Sequence, residues 1–155
     1  MSNEIESVKK WAEETGLKTG EAPSIDVEYI STLHGETVKT LDMEELEAII
    51  SSISSYSIFL KNLKGTLLAQ INQLEGKYRR ALALGMMRQT KFKYRDEKEA
   101  AALEVDRDLA AMERQLTVLR MKYSKIKDMP ESLDKHIDVL RMSYYRRKDE
   151  LKGSS

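Results

Sequence analysis

The chain contains no cysteine, which excludes disulfides, thiolate catalysis and cysteine-ligated zinc. Proline (2 residues), glycine (7) and aromatics (6%) are all scarce. That scarcity argues against a β-sandwich, a collagen or a disulfide scaffold. Only 2 histidines are present, His34 and His136, and neither has clustered ligand-type neighbours, so no metal site is expected. No run approaches the roughly 20 apolar residues that span a membrane. Met1 to Val8 are polar and acidic, unlike a signal peptide. The expectation is a reduced, cytoplasmic setting. A phosphate-cradling glycine loop, His-Glu-x-x-His and Gly-x-Ser-x-Gly are all missing. Enzymatic activity and a bound cofactor are therefore not expected.

What the 155 residues do contain is charge, at 34%, together with 36 Leu, Ile, Val and Phe residues. That composition suits long amphipathic helices. The net charge of zero conceals a strong asymmetry. Residues 1–55 carry 4 Lys/Arg against 12 Asp/Glu, a net of −8. Residues 56–95 carry 9 Lys/Arg against the single acid Glu75, a net of +8. Residues 96–155 carry 13 of each. The basic block can face an anionic partner such as nucleic acid, or the acidic arm of the same or a neighbouring subunit.

Along the chain, Ile5, Val8 and Trp11 predict a short helix over 3–15. Alternation of Ile25, Val27 and Tyr29, then Thr37, Val38 and Thr40, predicts a small β-hairpin over 25–41 turning at His34-Gly35-Glu36. Asp42 and Glu45 form a capping-box start for a long helix. From there, positions 46, 49, 53, 56, 60, 63, 67, 70, 74, 77, 81 and 84 repeat every seven residues, ten of them apolar. Positions 102, 105, 109, 112, 116, 119, 123 and 126 continue that register and are all apolar. Between the two runs, the same register falls on Arg88, Lys91, Arg95 and Lys98. Four cations cannot line a dry seam. The chain either turns back there, with Gly85 ending the first helix, or continues as an exposed rod; the antiparallel hairpin is favoured. Asp128, Pro130 and Glu131 start a last helix that reaches about residue 151, with Leu133, Ile137, Leu140 and Tyr144 on one face.

The expected fold is all-α. It comprises a long antiparallel, coiled-coil-like helical hairpin, a short C-terminal helix, a small N-terminal helix and the β-hairpin. The expected division is an acidic arm over 1–41 and a helical assembly and nucleic-acid-binding domain over 42–152. The long helices have too little else in the chain to cover them, so a homo-oligomer is expected.

The candidate site is the hairpin tip. Lys77, Arg79 and Arg80 precede it; Arg88, Lys91, Phe92, Lys93, Tyr94 and Arg95 form it. Cations neutralise phosphates, and exposed aromatic rings stack on unpaired bases. The plainer reading is a solvated basic tip whose two rings pack back on the helix ends.

The organisation resembles the UvsY-like family of phage recombination mediators. Tyr56-Ser57-Ile58-Phe59-Leu60 is similar to the family's Tyr-Ser-x-aromatic-Leu, and Asp106-Arg107-Asp108-Leu109 to its Asp-Lys/Arg-Asp-aliphatic. Between these lies a basic helix end and basic-aromatic turn, and a basic C-terminal helix follows. The resemblance covers roughly residues 45–148. It implies a helical protein that forms rings and binds single-stranded DNA, with Lys77, Arg79 and Arg80 the nearest equivalents of the family's contacts. It also implies action on a single-strand-binding protein and a RecA-like recombinase, in the host cytoplasm if the chain is phage-encoded. The competing expectation is a structural or scaffolding protein, such as a virion or assembly component, whose helices simply build an oligomer. A helical-hairpin chaperone is a weaker third.

Overall fold

A computed structural model describes Lys10, Ile30, Thr32, Leu33 and residues 35–153. Among the described residues there are five α-helices and no strand: α1 Gly35–Thr40, α2 Met43–Arg88, α3 Arg95–Val105, α4 Arg107–Ile126 and α5 Met129–Gly153. The fold is all-α, as the helical periodicity implied. One part of the expectation is corrected: Thr37, Val38 and Thr40 lie in α1, not in a second strand. Val38 is buried with Leu46, Ile53, Ile137 and Leu140, so tertiary packing overrides the β preference of its branched side chain. The first strand over 25–29 and most of the helix over 3–15 lie outside the described residues; Lys10 alone of that helix is described, and it is helical.

The chain divides into two compact units, Met1–Lys64 with Lys125–Ser155, and Gly65–Ser124. In the first, α2 opens with the expected capping box. The Asp42 backbone N–H donates to Glu45 Oε2 at 3.0 Å, and the Glu45 N–H donates to Asp42 Oδ1 at 2.7 Å. The core joins α1, the start of α2 and α5 through Ile30, Leu33, Val38, Leu46, Ile53, Ile137 and Leu140. Arg147 donates to the backbone carbonyls of Val38 and Leu41, satisfying the C-terminal end of α1 from α5. Tyr56, Ser57, Phe59 and Leu60 are all buried, and the Tyr56 and Phe59 rings stack at 6.0 Å. Four of the five residues over 56–60 are therefore core, and Ile58 faces outward. Ser57, itself buried, donates to Asp134 at 2.7 Å, and Asp134 also pairs with Lys61 at 2.7 Å. Lys64 donates to the Lys127 carbonyl at 2.7 Å, holding the turn between α4 and α5.

In the second unit, the end of α2 runs antiparallel to α3 and α4, with Leu82, Ala102 and Leu109 at the centre. Two expectations change here. Gly85 does not end the helix, which continues to Arg88. A Cβ at Gly85 would lie 3.1 Å from Ala102 Cβ, so glycine serves a close helix approach. The second apolar run is also not one helix. Asp106 is extended (φ −100°, ψ 101°) and separates α3 from α4. Its Oδ1 accepts from the Asp108 and Leu109 N–H groups at 3.0 and 3.1 Å, an N-cap for α4. Val105, expected in the seam, is 75% exposed as a result.

Candidate nucleic-acid interface

Beyond Leu67 the buried stripe of α2 moves one residue off the seven-residue register. Ile71 and Leu82 are buried and Tyr78 half-buried, each one residue past an expected position, whereas the expected positions Lys77 and Leu84 are exposed; Leu74, half-buried, is common to both registers. Two successive steps of four, Leu63 to Leu67 to Ile71, are a stutter, which locally changes the winding of a helix against its partner. Its consequence is to turn Lys77, Arg80, Leu84 and Arg88, spaced three or four apart, outward as one stripe. Over the eleven residue steps from Lys77 to Arg88 the stripe spans about 16 Å.

At the end of α2, the Gln89 N–H donates to the Met86 carbonyl at 3.1 Å, and the chain then leaves helical geometry. Residues 89–94 form the connection, and Tyr94 (φ −90°, ψ 149°) precedes α3 without donating or accepting a side-chain cap. Lys91, Phe92, Lys93, Tyr94 and Arg95 are all exposed, Tyr94 at 65% and Phe92 at 39%. The Tyr94 ring does not fold back onto the helix ends; Phe92 is the more enclosed of the two. Lys77, Arg88, Lys91, Lys93 and Arg95 form no ion pair among the described residues.

Two of the nine candidate residues are engaged on their own helix. Arg79 lies 3.5 Å from Glu75, and Arg80 Nε donates to the Gly76 carbonyl at 3.1 Å. Glu75 also accepts from Arg120 of α4. That hydrogen bond is the main reason its carboxyl sits below the usual carboxylate range. Arg79 is accordingly the most neutralised of the seven cations. Asp96 and Glu97 follow Arg95 in the first turn of α3, where they suit the positive end of the helix dipole.

The periodicity missed the apolar members of this surface. Leu84 and Met87 are 59% and 76% exposed between the α2 cations. A shallow cleft of about 370 Å³ adjoins them, lined by Gly85, Arg88, Gln89, Ala102, Val105, Asp106, Arg107 and Asp108. The cap at Asp106 was the available signal for that cleft, because a cap there ends α3 and uncovers Val105. No group of acidic or histidine side chains among the described residues is arranged to hold a metal ion. No described helix is long and apolar enough to cross a membrane.

No family model, curated protein or solved structure matches this chain.

Proposed function

We propose that the chain is a non-enzymatic single-stranded DNA-binding protein whose contact surface is the hairpin tip, acting as a recombination mediator. The observation that supports this reading is the tip itself: four cations with no ion pair among the described residues (Arg88, Lys91, Lys93 and Arg95) and two exposed aromatic rings on and around one connection. Such a surface neutralises phosphates along a flexible strand and offers rings to unpaired bases, which a duplex keeps stacked inside. The mediator role follows from the resemblance. Loading or stabilising a RecA-like recombinase, and remodelling a single-strand-binding protein, belong to that role.

The test is fluorescence anisotropy with labelled single-stranded and duplex DNA across a salt series. Binding should favour single strands. With about six cations engaged, the log–log salt slope should be about −4. Changing Arg88, Lys91 and Arg95 together to Glu should abolish binding and leave self-association intact. Tyr94→Ala should weaken binding about tenfold, within the range for one stacked base. Absence of binding at low salt, or equal affinity for duplex, would overturn the reading. Stimulation of recombinase filament formation on DNA coated with single-strand-binding protein would then test the mediator step.

A second reading, a scaffolding protein without nucleic acid, draws on the −8 and +8 charge blocks. It expects the same triple substitution to break assembly, the opposite outcome.

A further inference from the structure

The outer face of α5 is the least explained surface of the first unit. Val139, Met142 and Tyr145 are 54%, 66% and 58% exposed. Met142 lies about 200° around the helix from the core residue Leu140, so this stripe points away from the packing of its own unit. Exposed residues at helical spacing surround it: Lys135, Asp138, Arg146 and Asp149. Their order is informative. Relative to Met142, the residues three before and three after are the apolar Val139 and Tyr145. Those four before and four after are Asp138 and Arg146, of opposite charge. Those seven before and seven after are Lys135 and Asp149, again opposite.

Steps of three, four and seven keep all these residues on one helix face. When two copies of such a helix lie antiparallel about a two-fold axis, each residue at −n meets its counterpart at +n. Here that operation sets Asp138 against Arg146 of the partner subunit, and Lys135 against Asp149 of the partner subunit. Val139 meets Tyr145 of the partner subunit, and the two Met142 side chains meet on the axis. A solvated helix face, or a head-to-tail contact, has no requirement for this inverted charge order.

We infer that the outer face of α5 is a two-fold contact between two copies of this chain, centred on Met142. The arrangement supplies its own register. A slip by one turn sets Asp138 against Met142 of the partner subunit and Asp149 against Glu131 of the partner subunit, like charges face to face. Met142 is an adaptable side chain for the centre, where two identical groups must share one space. Tyr145 is partly ordered in advance, its ring edge-on to Tyr144 at 5.6 Å and 80°. Arg146 contacts Glu150 on its own helix at 3.3 Å, with both side chains mostly exposed, a pairing weak enough to exchange. Ile58 of α2, 58% exposed, lines a cleft with Asp138 and Arg141 and adds apolar surface at the edge of the stripe.

Sedimentation equilibrium of the full chain over a concentration series tests the contact. The unaltered chain should dimerise or form even-numbered assemblies. Asp138→Arg and Arg146→Asp should each weaken association about tenfold, because each sets like charges face to face. The two together should restore it to within about threefold, since the swap preserves the inverted order. All of these positions are exposed, so helix content by circular dichroism should not change. The chain has no cysteine, so Met142→Cys should oxidise to a single disulfide-linked dimer, while Ser132→Cys should not. A monomeric unaltered chain, a double variant as weak as the single ones, or no crosslink at Met142→Cys would each overturn the inference. None of these outcomes depends on DNA binding, so this contact and the tip stand or fall separately.

Discussion

Helix α2 packs by two different rules along its length. Up to Leu67 it buries Leu46, Ile53, Leu60, Leu63 and Leu67, each 1% exposed or less, on a strict seven-residue repeat. Beyond Leu67 the repeat slips by one residue, and the contact combines small groups, Gly85 against Ala102, with the buried pair Leu82 and Leu109. The first stretch shows what large aliphatic residues do when they coincide with the repeat: they make a deep core. The second shows a leaner contact that leaves the opposite helix face free for cations. Stability and the candidate binding surface are thereby concentrated in different stretches of one helix.

The largest effect should come from the deep core. Leu140→Ala removes a fully buried side chain packed with Leu46 and Ile53, and should cost about 3 kcal/mol in urea denaturation. Leu82→Ala, at 9% exposure in the lean contact, should cost about 2 kcal/mol. Equal costs would remove the distinction between the stretches.

Glycine sharpens it next. Gly85→Leu has no room against Ala102 and should destabilise by about 2 kcal/mol. Added Cβ atoms at Gly65 and Gly76 meet nothing within 4 Å, so Gly76→Ala should stabilise by about 0.5–1 kcal/mol through helix propensity alone. If Gly85→Leu were neutral, the close approach of α2 to α3 would be wrong.

How much of this was legible follows from which signals are local. The capping box at Asp42 and Glu45 and the helix start at Pro130 depend on neighbouring residues only, and both stand where the pattern put them. The slip after Leu67 was hidden because Ala81, Leu82 and Leu84 are all apolar, so counting apolar positions cannot choose between registers. The break at Asp106 was hidden by the apolar seam on either side of it, although its cap is itself a local pattern. Thr37 and Val38 looked extended because six residues are too few to separate a helical from an alternating period. At the candidate site, the exposure of Arg88, Lys91 and Arg95 was readable from the cost of burying them. The partial neutralisation of Arg79 by Glu75, and the exposed Leu84, Met87 and Val105, depend on the slip and the break.

The break itself offers a test of intermediate size. Asp106→Ala removes the acceptor for two N–H groups at the start of α4 and should cost about 1 kcal/mol. Asp106→Ser, which keeps a capping oxygen, should recover most of it.

Acid should produce the smallest effect, and it reaches both stretches through different partners. Asp134 is held below its usual range first by the hydrogen bond with Lys61 and then by that with Ser57. Glu75 is held low chiefly by Arg120. A carboxylate with a lowered folded pKa binds protons more weakly in the folded chain than in the unfolded one. Its stabilisation is therefore present in full above the ordinary values of 3.8 for Asp134 and 4.5 for Glu75, and is lost as pH falls through the lower folded values. The melting temperature should be flat near neutrality and fall below about pH 4.5. Asp134→Asn and Glu75→Gln should each lower it near neutrality and flatten the acid limb. Asp134→Asn should act more strongly, because the buried Ser57 hydroxyl depends on that carboxylate whereas both arginines at Glu75 are exposed. A larger effect from Glu75→Gln would mean that the lean stretch of α2 relies on its ion pairs more than on the Gly85–Ala102 approach.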